Sequence, residues 1–431
     1  MDKSSIVLEI GGAYTKCGYT QEATPRFIIN TDLSPLNIST FLSSGTEISF
    51  TNNNEEQQQD KDKDRFKQPL QKQLKESLYI FLNQIFFKYL LCDPGERKII
   101  LVENIFVPRL FRQALVSVLF EQFNVPCISF VNPLVCLLPL IRTTGFIIDC
   151  GLNETRVLPV YEGVGILKAM KTTNRGFNSL KQWMLKELQL KCQFKNTINN
   201  TIITQQDQLQ TIHHSLLTDQ LVEDIIVRCT VMAPLDYPIE KVSPITYQLK
   251  GNISIQLDAQ QRLDIAKSIF NFTIEDEMNE NDDIITIILN SLLDCDIDIR
   301  KSLCHNIVLI GGTTMIAGFK TRLIQELNKR CTTVEQEPRG QEELKGLLNH
   351  FEFIKHSFQP NSLMWLGASM IGSLDTIPTK LTLDQYIKNG RKVPEWERLN
   401  NNNSNNNNTL ISSPSTIVTT SSSSPVPSTG K

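Results

Sequence analysis

The 431-residue sequence has little of what would direct a chain to nucleic acid or a structural metal. Its 43 Lys and Arg nearly balance 46 Asp and Glu, giving a net charge of −3. Nucleic-acid binders carry a basic excess or stripe. The five His lack metal-ligand spacing, which argues against a zinc site. We therefore expect no nucleic-acid partner and no metal ligands.

Long apolar runs and paired cysteines are also missing. The most lipid-like run, 125–141, is interrupted by Pro126, Pro133 and Pro139 and is shorter than the about 20 residues of a membrane-spanning helix. The N-terminal MDKSSIVLEI has no signal-peptide core. The ten cysteines are scattered without a CxxC pair, so we expect reduced, mostly buried thiols in a cytoplasmic chain without membrane insertion.

Two stretches of biased composition stand apart from a sequence otherwise rich enough in apolar residues for large cores. Residues 51–67 read TNNNEEQQQDKDKDRFK, and residues 400–431 consist mainly of Asn, Ser, Thr and Pro. Such a tail buries too little apolar surface to offset the entropy of ordering it. We predict that 400–431 is disordered and exclude 51–67 from the globular part.

A strand–turn–strand pattern occurs twice. Residues 6–19 read IVLEIGGAYTKCGY, and residues 145–163 read GFIIDCGLNETRVLPVYEG. In each, an apolar run leads to an acid, Glu9 or Asp149, and a glycine follows two residues later. Glycine there permits a tight turn or a close backbone approach, so each segment is predicted to be a hairpin.

A third glycine turn follows a strand at 305–319, HNIVLIGGTTMIAGF. Glycine pairs between a strand and a helix let backbone N–H groups face a ligand. Apolar spacing predicts helices over 78–90, 108–123, 179–190, 216–229, 263–270 and 319–330, with a strand over 98–102. The pattern indicates an α/β fold of two similar halves with a phosphate cleft between them.

These three elements, in this order, resemble the actin/Hsp70/sugar-kinase superfamily, and finer motifs resemble actins and actin-related proteins. The motifs are RTTG at 142–145, VLPVYEG at 157–163, GGTTM at 311–315 and MWLGAS at 364–369. The resemblance covers about residues 6–396 and implies an actin-like fold of two lobes around a nucleotide cleft.

The resemblance also implies how the chain is divided. The first lobe is 1–141, with actin-like subdomains 1 and 2, of which subdomain 2 is reduced near 30–73. The second lobe, 142–363, holds subdomains 3 and 4. The chain returns to the first lobe over 364–399, and the tail is 400–431.

Transferred residue by residue, the resemblance implies a site for ATP or ADP, with Mg²⁺ left open. In actins the first hairpin surrounds the phosphates with backbone amides and a lysine, which is Lys16 here. The implied nucleotide-binding residues are Gly11, Gly12, Lys16, Asp149, Gly151, Gly176, Gly311, Gly312, Thr313 and Met315.

Several positions depart from the actin pattern. Gly12 stands in place of a phosphate-contacting serine, and Glu9 in place of an aspartate. Leu152 replaces an aspartate that helps to hold the metal through water, and leucine supplies neither charge nor a water ligand. Phosphoryl transfer to water needs both a positioned water and metal-balanced charge. Further departures are Asn132 for a water-positioning glutamine, Asn153 for a glycine, and Ile226 and Val227 for a lysine–glutamate pair near the base.

Arg156 replaces a histidine near the attacking water, and two roles stay open for it. It either neutralises phosphate charge in place of the lost metal ligands or forms a surface or inter-strand salt bridge. The departures together imply weak or static nucleotide binding, no catalytic residue and a pseudo-ATPase with little turnover.

Within the family, the motifs resemble most the divergent actin-related proteins that cap the pointed end of the dynactin filament. They are AYTKCG at 13–18, CDIDIRK at 295–301 and GRKVPEW at 390–396. The likeness implies a structural subunit supporting dynein-driven microtubule transport, located in the cytoplasm, cytoskeleton and centrosome. Its implied partners are the actin-like filament subunit, other pointed-end dynactin subunits and, indirectly, dynein.

The stretch 51–67 falls where an actin would grip the next protomer, and a polar segment there would end a polymer rather than extend it; a neutral insertion is the alternative. Two other functions stay open on the same fold. One is an active ATPase or sugar kinase, and the other is a nuclear actin-related subunit of a chromatin remodeller.

Overall fold

The computed structural model describes residues 3–34, 36, 59–105, 107–199, 201–203, 215–270, 283–333, 341–374 and 379–393. The strands are β1 Ile6–Ile10, β2 Tyr14–Tyr19, β3 Phe27–Asn30, β4 Ile99–Val102, β5 Cys127–Val131, β6 Gly145–Cys150, β7 Thr155–Tyr161, β8 Val164–Gly165, β9 Lys171–Thr173, β10 Gln193–Asn196, β11 Thr201–Ile202, β12 Ile245–Gln248, β13 Ile253–Leu257, β14 Ile307–Ile310 and β15 Lys380–Thr382.

Helices alternate with these strands. They are α1 Gln59–Asn83, α2 Arg109–Glu121, α3 Phe177–Leu190, α4 Asp219–Cys229, α5 Ala259–Asp264, α6 Lys267–Phe270, α7 Ile284–Leu293, α8 Ile297–Cys304, α9 Phe319–Thr333, α10 Gln341–Lys345, α11 Leu363–Ile371 and α12 Leu383–Lys388. The α/β prediction is confirmed. None of the helices in the described ranges is long and apolar enough to cross a membrane.

Two mixed sheets share one design. The first has the order β15-β5-β4-β1-β2-β3, and the second has β14-β6-β7-β8 with β9 also paired to β7. In the first, the predicted hairpin β1–β2 lies beside the parallel strand β4. In the second, the predicted hairpin β6–β7 lies beside the parallel strand β14. A third sheet, β11-β10-β13-β12, is antiparallel throughout.

Most predicted helices are present, with shifted ends that have local causes. The helix predicted from residue 216 begins at Asp219, because the Thr218 side chain accepts a hydrogen bond from the Leu221 N–H and caps it. The helix predicted over 78–90 is α-helical only to Asn83 and continues as a π-helical turn, Gln84–Tyr89. The prediction of one helix over 263–270 is wrong.

That segment forms two short helices, α5 and α6. Asp258 and Gln261 form a reciprocal capping box that starts α5 at Ala259, four residues earlier than predicted. The chain then turns at Ile265 and Ala266 before α6 begins. No prediction covered α7 or α8.

The biased stretch 51–67 needs a correction. Helix α1 begins at Gln59, so the second half of the stretch belongs to a helix rather than to a loop. Its sequence places Asp60, Asp62 and Asp64 each three residues before a basic residue, a spacing that favours helix. Residues 51–58, most of the reduced region predicted near 30–73, and the tail 400–431 lie outside the described residues.

The C-terminal part of the chain packs against the first strands. Trp365 on α11 is fully buried, and its indole Nε1–H donates to the carbonyl oxygen of Val7 at 3.3 Å. A Cβ at Gly367 would overlap the carbonyl oxygen of Val135, so only glycine lets α11 approach this closely. The apolar cluster around Trp365 contains Val7 of the first sheet and Ile147 of the second. This cluster therefore joins the two sheets. The predicted lobe boundaries at 141 and 363 stay predictions.

Candidate functional site

A cavity of about 590 Å³ lies where the two hairpin turns meet the turn after β14. Its volume is within the range of small-molecule and cofactor sites. All the predicted site residues except Gly176 line it, namely Gly11, Gly12, Lys16, Asp149, Gly151, Gly311, Gly312, Thr313 and Met315. The fold thus brings together three elements that are far apart in the sequence.

The first hairpin supplies a tight turn and a lysine. The Gly11 N–H donates to the Tyr14 carbonyl oxygen at 3.0 Å, and a Cβ at Gly11 would lie only 2.8 Å from that oxygen. Lys16 and Glu9 are paired across the strands, and their side chains form an ion pair with little exposure. The strand register therefore carries the lysine to the cavity together with its own counter-ion.

The second hairpin turn is tied to helix α3. The Gly151 N–H donates to the Glu154 carbonyl oxygen at 3.0 Å, and the Asn178 N–H donates to the Leu152 carbonyl oxygen at 2.8 Å. A Cβ at Gly176 would lie 2.6 Å from the same Leu152 oxygen. Gly176 therefore lets the start of α3 approach the turn, although it does not line the cavity itself.

The third turn contains two glycines with opposite environments. Gly311 has φ 90° and ψ 155°, and a Cβ there would overlap the carbonyl oxygen of Cys150. At Gly312 a Cβ would meet nothing within 4 Å. The Thr313 hydroxyl donates to the Gly151 carbonyl oxygen at 2.9 Å, so this turn is bonded to the second hairpin turn.

Leu152 projects across the cleft toward the first turn. A Cβ on Gly12 would lie 3.4 Å from the Leu152 Cδ2, which is ordinary van der Waals contact. The two turns therefore face each other through an aliphatic group. In this position leucine offers no oxygen to a cation or water.

Arg156 is buried and paired with two acids. It lies opposite Asp149 in the β6–β7 register, with Nη1 4.0 Å from the Asp149 Oδ2. It also forms an ion pair with Glu154, which the sequence reasoning missed. Of the two roles left open, the structure contains the inter-strand salt bridge, buried rather than at the surface, and Arg156 still lines the cavity.

Burial shifts the ionisation of the charged groups at the cavity floor. It raises the pKa of Glu9, and Lys16 only partly opposes the shift. It likewise raises the pKa of Asp149 against the opposing effects of Arg156 and Lys16. Burial lowers the pKa of Arg156, which Asp149 opposes. Glu9 Oε2 and Asn104 Oδ1 are buried without a hydrogen-bond partner in the described part of the protein, so the floor has spare acceptors.

A hydrogen bond closes one side of the cavity between distant elements. The Tyr14 hydroxyl, at the start of β2, donates to Glu223 Oε1 on α4 at 2.8 Å, and both residues line the cavity. Burial and the Glu223 contact raise the pKa of Tyr14 to about 12. One turn further along α4, Val227 also lines the cavity, whereas Ile226 is buried in the core.

No prediction from the sequence covered one further pair of cavity residues. Glu103 and Arg112 line the cavity and form a buried pair, with Arg112 Nε 2.9 and 3.0 Å from the two carboxylate oxygens. Asn132 does not line the cavity, and its side-chain oxygen instead accepts from the Leu134 N–H at 3.1 Å. Across the described ranges, no group of three or more His, Cys, Asp or Glu is arranged to hold a metal ion.

Comparison with known proteins agrees with this architecture. The family model for actin matches residues 1–394. The chain is 44% identical to actin-related protein 10 of Dictyostelium discoideum, in an alignment that covers 92% of this chain and 90% of that protein. The predicted actin-like fold is therefore confirmed, and the chain belongs to the actin family.

Proposed function

We propose that this protein is a structural actin-related subunit that caps the pointed end of the actin-like filament of dynactin. The support is its 44% identity to actin-related protein 10 over nearly the whole of both chains, together with the resemblance of three motifs to pointed-end caps. In this role it contacts the filament subunit and other pointed-end subunits, and it supports dynein-driven transport in the cytoplasm, including at the centrosome.

The cleft in this proposal holds ATP or ADP without turning it over. The cavity is large enough for such a ligand, and the turns with Gly11, Gly12, Gly311 and Gly312 approach it by their backbones. The observation that carries the absence of turnover is the position of the Leu152 side chain, which lines the cavity on the side of Gly12 in the first turn. An aliphatic group there excludes the water and charge that phosphoryl transfer needs.

The filament role is tested by isolating the tagged full-length chain from its own cells. We expect a short actin-like filament and dynein to copurify, with the tag at one end of the filament in electron micrographs. A tag distributed along the filament, or copurification with a chromatin-remodelling ATPase instead, would contradict the cap.

The enzymatic part is tested separately by nucleotide content and steady-state phosphate release of the purified chain. We expect bound nucleotide to persist with negligible phosphate release. Release at the rate of an ordinary ATPase, on the order of 1 per second or faster, would show an active enzyme.

A further inference from the structure

The floor of the cleft holds five charged side chains that are already paired among themselves. Glu9 is paired with Lys16, and Arg156 is paired with Glu154 and lies near Asp149. Glu9 and Lys16 are paired across the first hairpin, Asp149 and Arg156 are paired across the second, and Glu154 lies immediately before β7. The acids that a cation would need are therefore each close to a basic group of the protein.

A divalent cation does not fit this arrangement. Mg²⁺ requires an octahedral set of oxygen ligands and normally keeps several waters beside one or two carboxylates. Here the Arg156 guanidinium lies 4.0 Å from Asp149, so a second, doubly charged cation at that carboxylate would be repelled. The gap between the turns, where the waters of a metal would lie, is bordered by Leu152.

We propose that the cleft binds the phosphates of a nucleotide without a divalent cation, with Arg156 and Lys16 supplying the positive charge. This inference rests on the nucleotide binding in the proposed function. Arg156, Lys16 and the glycine turns line one cavity, so both cations face the same ligand. A guanidinium presents several N–H donors in a geometry that suits phosphate oxygens.

The acidic groups oppose this binding less than their number indicates. Burial raises the pKa of both Glu9 and Asp149. Their neutral forms are therefore favoured relative to exposed carboxyl groups, which reduces the negative charge that an incoming phosphate meets.

The test measures the affinity of the purified, nucleotide-stripped full-length chain for a fluorescent ATP analogue, in excess EDTA and in millimolar Mg²⁺. We expect the two dissociation constants to agree within about twofold. Tightening by Mg²⁺ of about tenfold or more, or binding seen only with Mg²⁺, would overturn the inference. No binding in either condition would overturn nucleotide binding as well, whereas the copurification experiment judges the filament role independently.

Two variants identify the residues responsible. Arg156→Gln removes the guanidinium, and we expect binding in EDTA to weaken by about tenfold or more. The control is the same change at the exposed Arg142, which should leave the affinity unchanged. Equal affinities for Arg156→Gln and the parent chain would contradict the role of Arg156.

Because Arg156→Gln leaves Glu154 and Asp149 buried beside a neutral group, it risks misfolding. Leu152→Asp avoids this problem by adding an acid at the border of the cleft, and Leu152→Asn is its uncharged match. We expect Mg²⁺ to tighten binding by about tenfold in Leu152→Asp but not in Leu152→Asn. No Mg²⁺ response in Leu152→Asp would show that Leu152 is not what excludes the cation.

Discussion

The adjacent glycines Gly311 and Gly312 allow a sharp test of how the cleft is built. At Gly311, alanine must adopt φ 90° and ψ 155°, a region that costs a non-glycine residue about 1–3 kcal/mol. Its Cβ would also overlap the Cys150 carbonyl oxygen and approach the Asp149 Oδ1 to 2.9 Å. Overpacking of this kind costs about 1–3 kcal/mol more.

We therefore expect Gly311→Ala to lower the free energy of unfolding by about 2–6 kcal/mol. Gly312→Ala, where a Cβ meets nothing within 4 Å, should change it by about 0.5 kcal/mol or less. Both are measured by urea unfolding, followed by far-UV circular dichroism and by tryptophan fluorescence, because Trp183 and Trp365 both pack in apolar clusters that contain residues of the second sheet.

A loss for Gly311→Ala below about 1 kcal/mol, or equal losses for the two variants, would refute this account of the turn. Equal slopes in urea for all three proteins are the necessary control, because a changed slope signals a changed unfolding reaction. Both variants replace a glycine by alanine at neighbouring positions of one turn, so they have the same overall charge and differ only in where the added methyl group lies.

Three further predictions concern other parts of the protein. Arg112→Met leaves Glu103 buried without its 2.9 Å ion pair and should lower the free energy of unfolding by about 3–5 kcal/mol. The same change at the exposed Arg109 should lower it by about 0.5 kcal/mol or less. Similar thermal unfolding of the two variants would contradict this. Tyr14→Phe removes the hydrogen bond to Glu223 and should speed dissociation of a fluorescent nucleotide by about five- to tenfold in stopped-flow chase experiments. Because the pKa of Tyr14 is raised to about 12, its hydrogen bond to Glu223 is fully present below pH 10 and is lost as the pH rises through about 12. Nucleotide dissociation from the parent chain should therefore speed up over that range, and an equally steep rise in Tyr14→Phe would assign the pH dependence to another group. Alkylation of the native protein should modify the half-buried Cys92 and Cys192 first, since the other eight cysteines are buried. Burial also raises the pKa of Cys17 to about 12, so early labelling of Cys17 in mass spectrometry would argue against the packing described.

The turns of the site were predictable because their chemistry is local. An acid followed two residues later by glycine marked both hairpins, and the glycine pair at 311–312 marked the third turn. Even the ion pair of Arg156 with Asp149 follows from the register once β6 and β7 are accepted as a hairpin. Glu154 lies immediately before β7 and two residues before Arg156, and an acid at this spacing from a base in extended backbone was a signal in the sequence that reasoning by resemblance overlooked.

Other features had no local signal. Tyr14 and Glu223 are 209 residues apart, and only the packing of α4 against the cleft brings them together. Helix α7, with the sequence IITIILNSLL, is mainly apolar and rich in β-branched residues, so its first part is equally compatible with a buried strand. Its helical state depends on the Asp283 cap and on the burial of most of its side chains, which a short window of sequence does not reveal.

The hydrogen bond from Trp365 to Val7 spans 358 residues and has a consequence for how the protein is made. At about 5–20 residues per second, the ribosome takes about 20–70 s to deliver α11 after it has delivered β1. During that interval Val7 and the other cluster residues that precede α11 are not yet covered by Trp365. The first sheet receives β15, and the cluster that joins both sheets receives Trp365, only late in synthesis. A chain interrupted before α11 would leave apolar residues of this cluster exposed, and chaperones bind exposed apolar surface.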